Sequence, residues 1–139
     1  MPSKISSFFC GVLIWAILML FGTSCKKTAP MPWPSQTFAG VFSGNDVCLI
    51  SGTNSNSITV TATSANQVNI ANLYGSGKVF YATVSNDSCY IQPQVYNNAS
   101  GNALMQGSFV MFNDTIKLSI IISSFGQEDR CNAVLVKSQ

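Results

Sequence analysis

The chain has 139 residues, seven basic and five acidic side chains for a formal charge of +2, and no histidine. That length supports one domain with a single core, and so little charge excludes the electrostatic footprint of a nucleic-acid binder. Without an imidazole, Ser–His–Asp catalysis, Cys–His catalysis and histidine-built zinc sites are all excluded.

Met1 to Ser7 is polar, with Lys4 and the α-amino group as its positive charges. Phe8 to Phe21 is then an unbroken run of 14 apolar or glycine residues. As a helix it would reach only about 21 Å at roughly 1.5 Å per residue, short of the ~30 Å of a bilayer core, so it reads as the apolar region of a signal peptide. Gly22, Thr23 and Ser24 follow, small residues of the kind a signal peptidase accepts before its cut, and then Cys25.

The stretch from Phe21 to Lys27 (FGTSCKK) resembles the lipobox of Bacteroidota-type lipoproteins, with Gly22 standing where the common lipobox prefers Leu. The resemblance implies cleavage at Ser24–Cys25 and acylation of Cys25, dividing the chain into a signal peptide (1–24), an anchor and tether (25–36) and one β domain (37–139). Acyl chains contribute about 0.8 kcal/mol per buried CH₂, so a lipidated Cys25 would hold the protein to the membrane permanently. No acidic residue follows the cysteine before Pro30. In lipoproteins of this type that implies the periplasmic face of the outer membrane rather than the cell surface.

Lys26 to Gln36 carries Pro30, Pro32 and Pro34 at alternate positions. Alternating prolines bias the chain to extended structure, so these eleven residues form a spacer of up to about 34 Å. Trp33 within it is expected to fold onto the open end of the domain.

From Thr37 onward, short alternating segments are parted by turn residues, with no run of helical period. Strands are expected at about Thr37 to Val47, Ser57 to Thr63, Gln67 to Leu73, Lys78 to Ser85, Cys89 to Tyr96, Leu104 to Phe112, Thr115 to Ser123 and Arg130 to Lys137. Gly75-Ser76-Gly77 reads as a hairpin turn, and Asn86-Asp87 and Asn113-Asp114 as turns in which the Asp side chains cap the backbone. Eight strands in about a hundred residues make an all-β, antiparallel up-and-down meander, which avoids two exposed edges by curling into a small barrel or half-barrel. The residues Phe38, Gly40, Phe42, Gly44 and Cys48, then Cys131, Leu135 and Lys137, also resemble small secreted Bacteroidota-type domains, some of them lipocalin-like. That resemblance implies a barrel and no particular activity.

Setting aside Cys10 and Cys25, the cysteines are Cys48, Cys89 and Cys131, which allow three pairings in an oxidising envelope. Closing a meander brings its first and last strands together, which favours Cys48–Cys131 and leaves Cys89 as a small buried hydrophobe. The carboxylates are Asp46, Asp87, Asp114, Glu128 and Asp129. Glu128 and Asp129 are expected to face solvent in the last loop, and no catalytic, metal or cofactor site is expected. Asp114-Thr115-Ile116 resembles the Asp-Thr-aliphatic O-glycosylation motif of exported Bacteroidota-type proteins, which makes Thr115 a candidate acceptor.

Phe80 and Tyr81 are adjacent in one strand and so point to opposite faces; aromatics so placed could line a cavity or a partner surface, and a filled interior is expected. These features describe a non-enzymatic, lipid-anchored envelope protein acting as a binding or interaction module. The alternative is a lipocalin-like carrier of a small apolar ligand. Its partners would be the membrane, through Cys25, and a protein or small apolar molecule, but not nucleic acid.

Overall fold

The computed structural model describes residues 34–138. The apolar run Phe8 to Phe21, Cys25 and Trp33 lie outside them. One helical turn, α1 (Pro34–Thr37), leads into eight strands: β1 (Gly40–Cys48), β2 (Gly52–Ser64), β3 (Gln67–Ala71), β4 (Val79–Ser85), β5 (Ser88–Asn98), β6 (Gly101–Phe112), β7 (Thr115–Ser124) and β8 (Gln127–Lys137). They form a closed barrel in sequence order, each strand antiparallel to the next. Closure is made by β1 against β8, in register from Phe42↔Lys137 to Cys48↔Cys131. A disulfide joins Cys48 to Cys131 across that closing seam.

The alternation written in the sequence becomes the inside and outside of the wall. In β7, Ile116, Leu118, Ile120 and Ile122 are buried while Lys117 and Ser119 face solvent. In β4, Phe80 is 1 % exposed and its neighbour Tyr81 is 66 % exposed. Phe42, Phe80, Phe109, Ile58, Ile70, Met105 and Leu135 fill the interior. Each such side chain contributes about 1.5–3 kcal/mol by leaving water. Cys89 is among them, and burial pushes its thiol up to about 12, which makes it an inert packing residue.

Two glycines set the curvature. A Cβ on Gly44 would collide with the carbonyl oxygen of Val134, and one on Gly107 with that of Ser119. Both occupy inward positions, and without a side chain the wall can fold sharply against its neighbour there.

The strands run longer than expected at several ends; β2 begins at Gly52 rather than Ser57. The tether also ends sooner. Pro34 opens α1 instead of extending the spacer, because a fixed φ near −65° suits the first helical position and the rest of that turn carries no proline. Ser35 is buried there, its N–H donating to Ala65 O at 3.3 Å and its hydroxyl to Ser64 O. Phe38 then turns inward and meets the Phe109 ring edge-on, 5.6 Å between centroids. These contacts close the end of the barrel that carries the β2–β3, β4–β5 and β6–β7 turns. The other end, the mouth, carries the β1–β2, β3–β4, β5–β6 and β7–β8 connections.

Asp87 and Asp114 sit in two-residue turns at the closed end, but the positive φ belongs to Asn86 (54°) and Asn113 (53°). The observed contacts of these aspartates run through backbone carbonyls: Asp87 O accepts from Met111 N and Asp114 O from Lys137 N. Asn tolerates the left-handed region, so it carries the turn that capping by Asp was expected to make. Thr115 begins β7 at this same end, half-buried and paired with Phe112 and Val136.

Candidate functional site

At the mouth, the turn after β1 brings Leu49, Ile50 and Ser51 over the start of β8. Asp129 holds them. Its Oδ1 accepts from Ile50 N at 2.8 Å, and its Oδ2 from Ser51 N at 3.1 Å, Ser51 Oγ at 2.6 Å and Tyr74 OH at 3.4 Å. Partial burial works against this carboxylate, but the hydrogen bonds from Ser51, Ile50 and Tyr74 outweigh it and keep its pKa below the usual range. Asp129 therefore does not share the solvent-facing position of Glu128, which pairs with Arg130 at 3.3 Å on the exterior. Adjacent residues of one strand point to opposite faces, and Asp129 takes the side that meets the β1–β2 turn.

Tyr74 reaches this network from the β3–β4 connection. That connection is longer than the Gly75-Ser76-Gly77 hairpin expected from the sequence, with a tight turn at Leu73–Gly75. Asn72 and Tyr74 both hold positive φ, 61° and 55°. Asn72 braces the loop by donating to Ser57 O at 2.9 Å and accepting from Gly77 N at 3.1 Å. The Tyr74 hydroxyl bonds Ser51 Oγ. Burial raises its pKa, with Asp129 and Asp46 adding to the rise, so it remains a donor at neutral pH.

Inside this rim lies Asp46, on the inward face of β1 and 1 % exposed. Neither of its oxygens has a hydrogen-bond partner, and neither the amide oxygen nor nitrogen of Asn56 has one; Asn56 is 5 % exposed and lies on the inward face of β2. Burial pushes the Asp46 carboxyl above its ordinary range and the like charge of Asp129 adds to this. The nearby backbone N–H groups of Asp46 and Asn54, short of hydrogen-bond geometry, pull it partly back. A buried carboxylate without partners costs on the order of 1–3 kcal/mol or more, so the fold bears a penalty at this position. Ser124 Oγ, at the mouth end of β7, is also buried without a partner.

Asp46 opens into a recess of about 300 Å³ lined by Ser51, Asn54, Ser55, Tyr74 and Gly75. Tyr96, on β5, meets the Phe80 ring edge-on at 5.5 Å between centroids. Exposed apolar side chains rim this end: Leu49, Ile50 and Phe125. Phe125 is 77 % exposed while holding φ of 50°, a conformation that a bulky side chain rarely takes.

Cys48, Asp129 and Cys131 bring ligand-type atoms within 4.8 Å of one another. Both sulfurs are bound in the disulfide and the Asp129 oxygens are occupied, so the group is a structural staple. Of the residues singled out in the sequence, Cys48 and Cys131 lie beside the mouth and Thr115 at the closed end. Asp46 was legible only as one carboxylate among five. Its signal was its phase: Phe42, Gly44, Asp46 and Cys48 share one face of a strand, and an acid in that row must point inward.

No family model and no curated protein matches this sequence. Among solved structures the chain is similar to a redesigned beta barrel, b11L5F_LGL, with TM-score 0.58 and 11 % identity over 78 % of this chain and 98 % of that one. It is similar also to EF1p2_mFAP2b bound to DFHBI, with TM-score 0.58 and 16 % identity over 77 % of this chain and 100 % of that one. At these identities the likeness shows the fold alone: an eight-stranded antiparallel barrel.

Proposed function

We propose that this chain is a non-enzymatic envelope protein, lipid-anchored through Cys25 on the periplasmic face of the outer membrane, whose barrel is a binding module working through its mouth. The observation that carries the reading is the contrast between a filled interior and a mouth that keeps Asp46 and Asn56 inward, buried and unpartnered. A chain selected only for stability would replace them with apolar residues at little cost. The absence of histidine supports a binding role over a catalytic one, and the lipobox resemblance supports the anchor. The similar barrel bound to DFHBI supports the capacity of this architecture to hold a small molecule. An apolar cargo suits this chain less well than a polar one, because aromatic and aliphatic side chains already occupy the apolar part of the barrel.

Two measurements test the reading. Cys25→Ala should move the protein from the membrane fraction to the soluble fraction, and its retention in the membrane would refute the anchor. Native mass spectrometry of the full chain extracted from its own envelope should show a small-molecule adduct lost on denaturation. A chain that is empty in every preparation would refute the binding module.

A further inference from the structure

We infer that the mouth is a receptor for a primary ammonium group carried on a small organic molecule, with Asp46 as its counter-ion. The inference rests on the mouth being a binding site and names what it takes.

The donor–acceptor inventory leads there. Asp46 offers two oxygens and Asn56 offers Oδ1, all inward and all without partners. That makes three unpartnered acceptors, two of them on one carboxylate, on neighbouring strands: Asp46 pairs with Asn54 and Asn56 with Gly44 in the β1–β2 register, and Asp46 is the one that lines the recess. A primary ammonium group brings three N–H donors and a positive charge.

Among the described residues, none supplies a cation for this place. Arg130 pairs with Glu128 on the exterior, and Lys137 lies over the Phe42 ring, 5.9 Å from its centroid, at the closed end. Lys117 lies along a groove on the outer wall, and Lys78, just before β4, lines a cleft with Phe80, Gln94 and Tyr96 rather than the recess that Asp46 lines. Asp129 adds negative potential without competing for the guest, since its oxygens already accept from Ile50, Ser51 and Tyr74. A desolvated carboxylate binds a cation far more strongly than an exposed one.

A calcium ion fits less well. It needs six to eight oxygens, and the recess supplies one free carboxylate. The recess, at about 300 Å³, sits at the lower end of small-molecule sites. The exposed Leu49, Ile50 and Phe125 around this end would meet the apolar part of such a guest.

The test titrates the full chain in detergent with methylammonium, butylammonium and phenethylammonium, then with phenethyl alcohol and with calcium chloride, following backbone NMR signals of Gly44, Asp46 and Asn56. At least one amine should shift these signals at millimolar or lower concentration, more strongly than phenethyl alcohol, and calcium should not. Asp46→Asn should weaken amine binding at least tenfold, roughly what losing one charge-assisted contact does. Asp87→Asn, at the closed end, should leave it unchanged. Failure of all three amines, equal binding to Asp46→Asn, or a response to calcium alone would overturn the inference. Phenethyl alcohol shifting the same signals as strongly as the amine would overturn the ammonium assignment while leaving the mouth a binding site. An empty mouth in the envelope-extracted protein bears on the binding module itself.

Discussion

At the closed end of the barrel Ser35 finds backbone partners in Ser64 and Ala65, Phe38 packs against Phe109, and Asn residues carry the positive φ of the tight turns. At the mouth, Asp46, Asn56 and Ser124 are buried without partners, and the positive φ falls on Tyr74 and Phe125 as well as Asn72. The same strands build both ends, so the difference lies in the residues chosen. Unsatisfied groups and strained aromatics destabilise, and they persist where they perform a task. The closed end is a plug, and the mouth is where the molecule accepts instability.

The largest expected effect concerns what holds the mouth together despite that. The disulfide links residues 83 apart in sequence and sits at the mouth end of the closing seam. In the chain-entropy description, a closed loop of that size stabilises by about 4.6 kcal/mol, an upper figure. Replacing Cys48 and Cys131 together by Ala should lower urea-unfolding stability by a large part of that amount. Hydrogen exchange should then accelerate at Leu49, Ile50 and Ser51 before it does at Phe38. Equal acceleration at both ends would break the comparison, since the staple would then be serving the barrel uniformly.

Phe38→Ala probes the other end. Removing a fully buried ring opens a cavity beside Phe109 and should cost about 3–4 kcal/mol. Ligand binding at the mouth should keep its affinity, provided the measuring temperature stays below the unfolding transition. A loss of affinity in the folded variant would mean that the two ends are coupled.

How much of this was legible beforehand follows from what alternation can and cannot carry. The period-two rows of β4 and β7 fix which residues face the core, so eight strands follow from counting them, while the count alone leaves a closed barrel and a half-barrel both open. Phe80 inward and Tyr81 outward follows from adjacency alone. The mouth was much less legible, because its parts come from four separate connections that only the closed barrel brings together. Asp129 and Ser51 are 78 residues apart, and nothing local marks them as partners. Pro34 was misplaced for another reason: a proline after alternating prolines extends a spacer or starts a helix equally well, and the burial of Ser35 against the β2–β3 turn decides it.

The smallest effects set the two mouth carboxylates against each other. Asp129 is held below its ordinary pKa, so its stabilisation is present above about pH 4 and is lost as pH falls through its depressed value. Asp46 is raised, so its contribution runs the other way: the protonated carboxyl is favoured at low pH, and stability is lost as pH rises through that raised value. Asp129→Asn should therefore destabilise near neutral pH, by about 1 kcal/mol given its partial exposure, and flatten the acid limb of the stability curve. Asp46→Asn should stabilise near neutral pH by about 1 kcal/mol, because it removes a charge from a buried position. Thermal unfolding of both variants between pH 3 and pH 8 (roughly the span of the two titrations) separates them. Should Asp46→Asn destabilise at pH 7, the carboxylate would be a structural member of the mouth, and the reading of this end as one that exchanges stability for binding would fall with it.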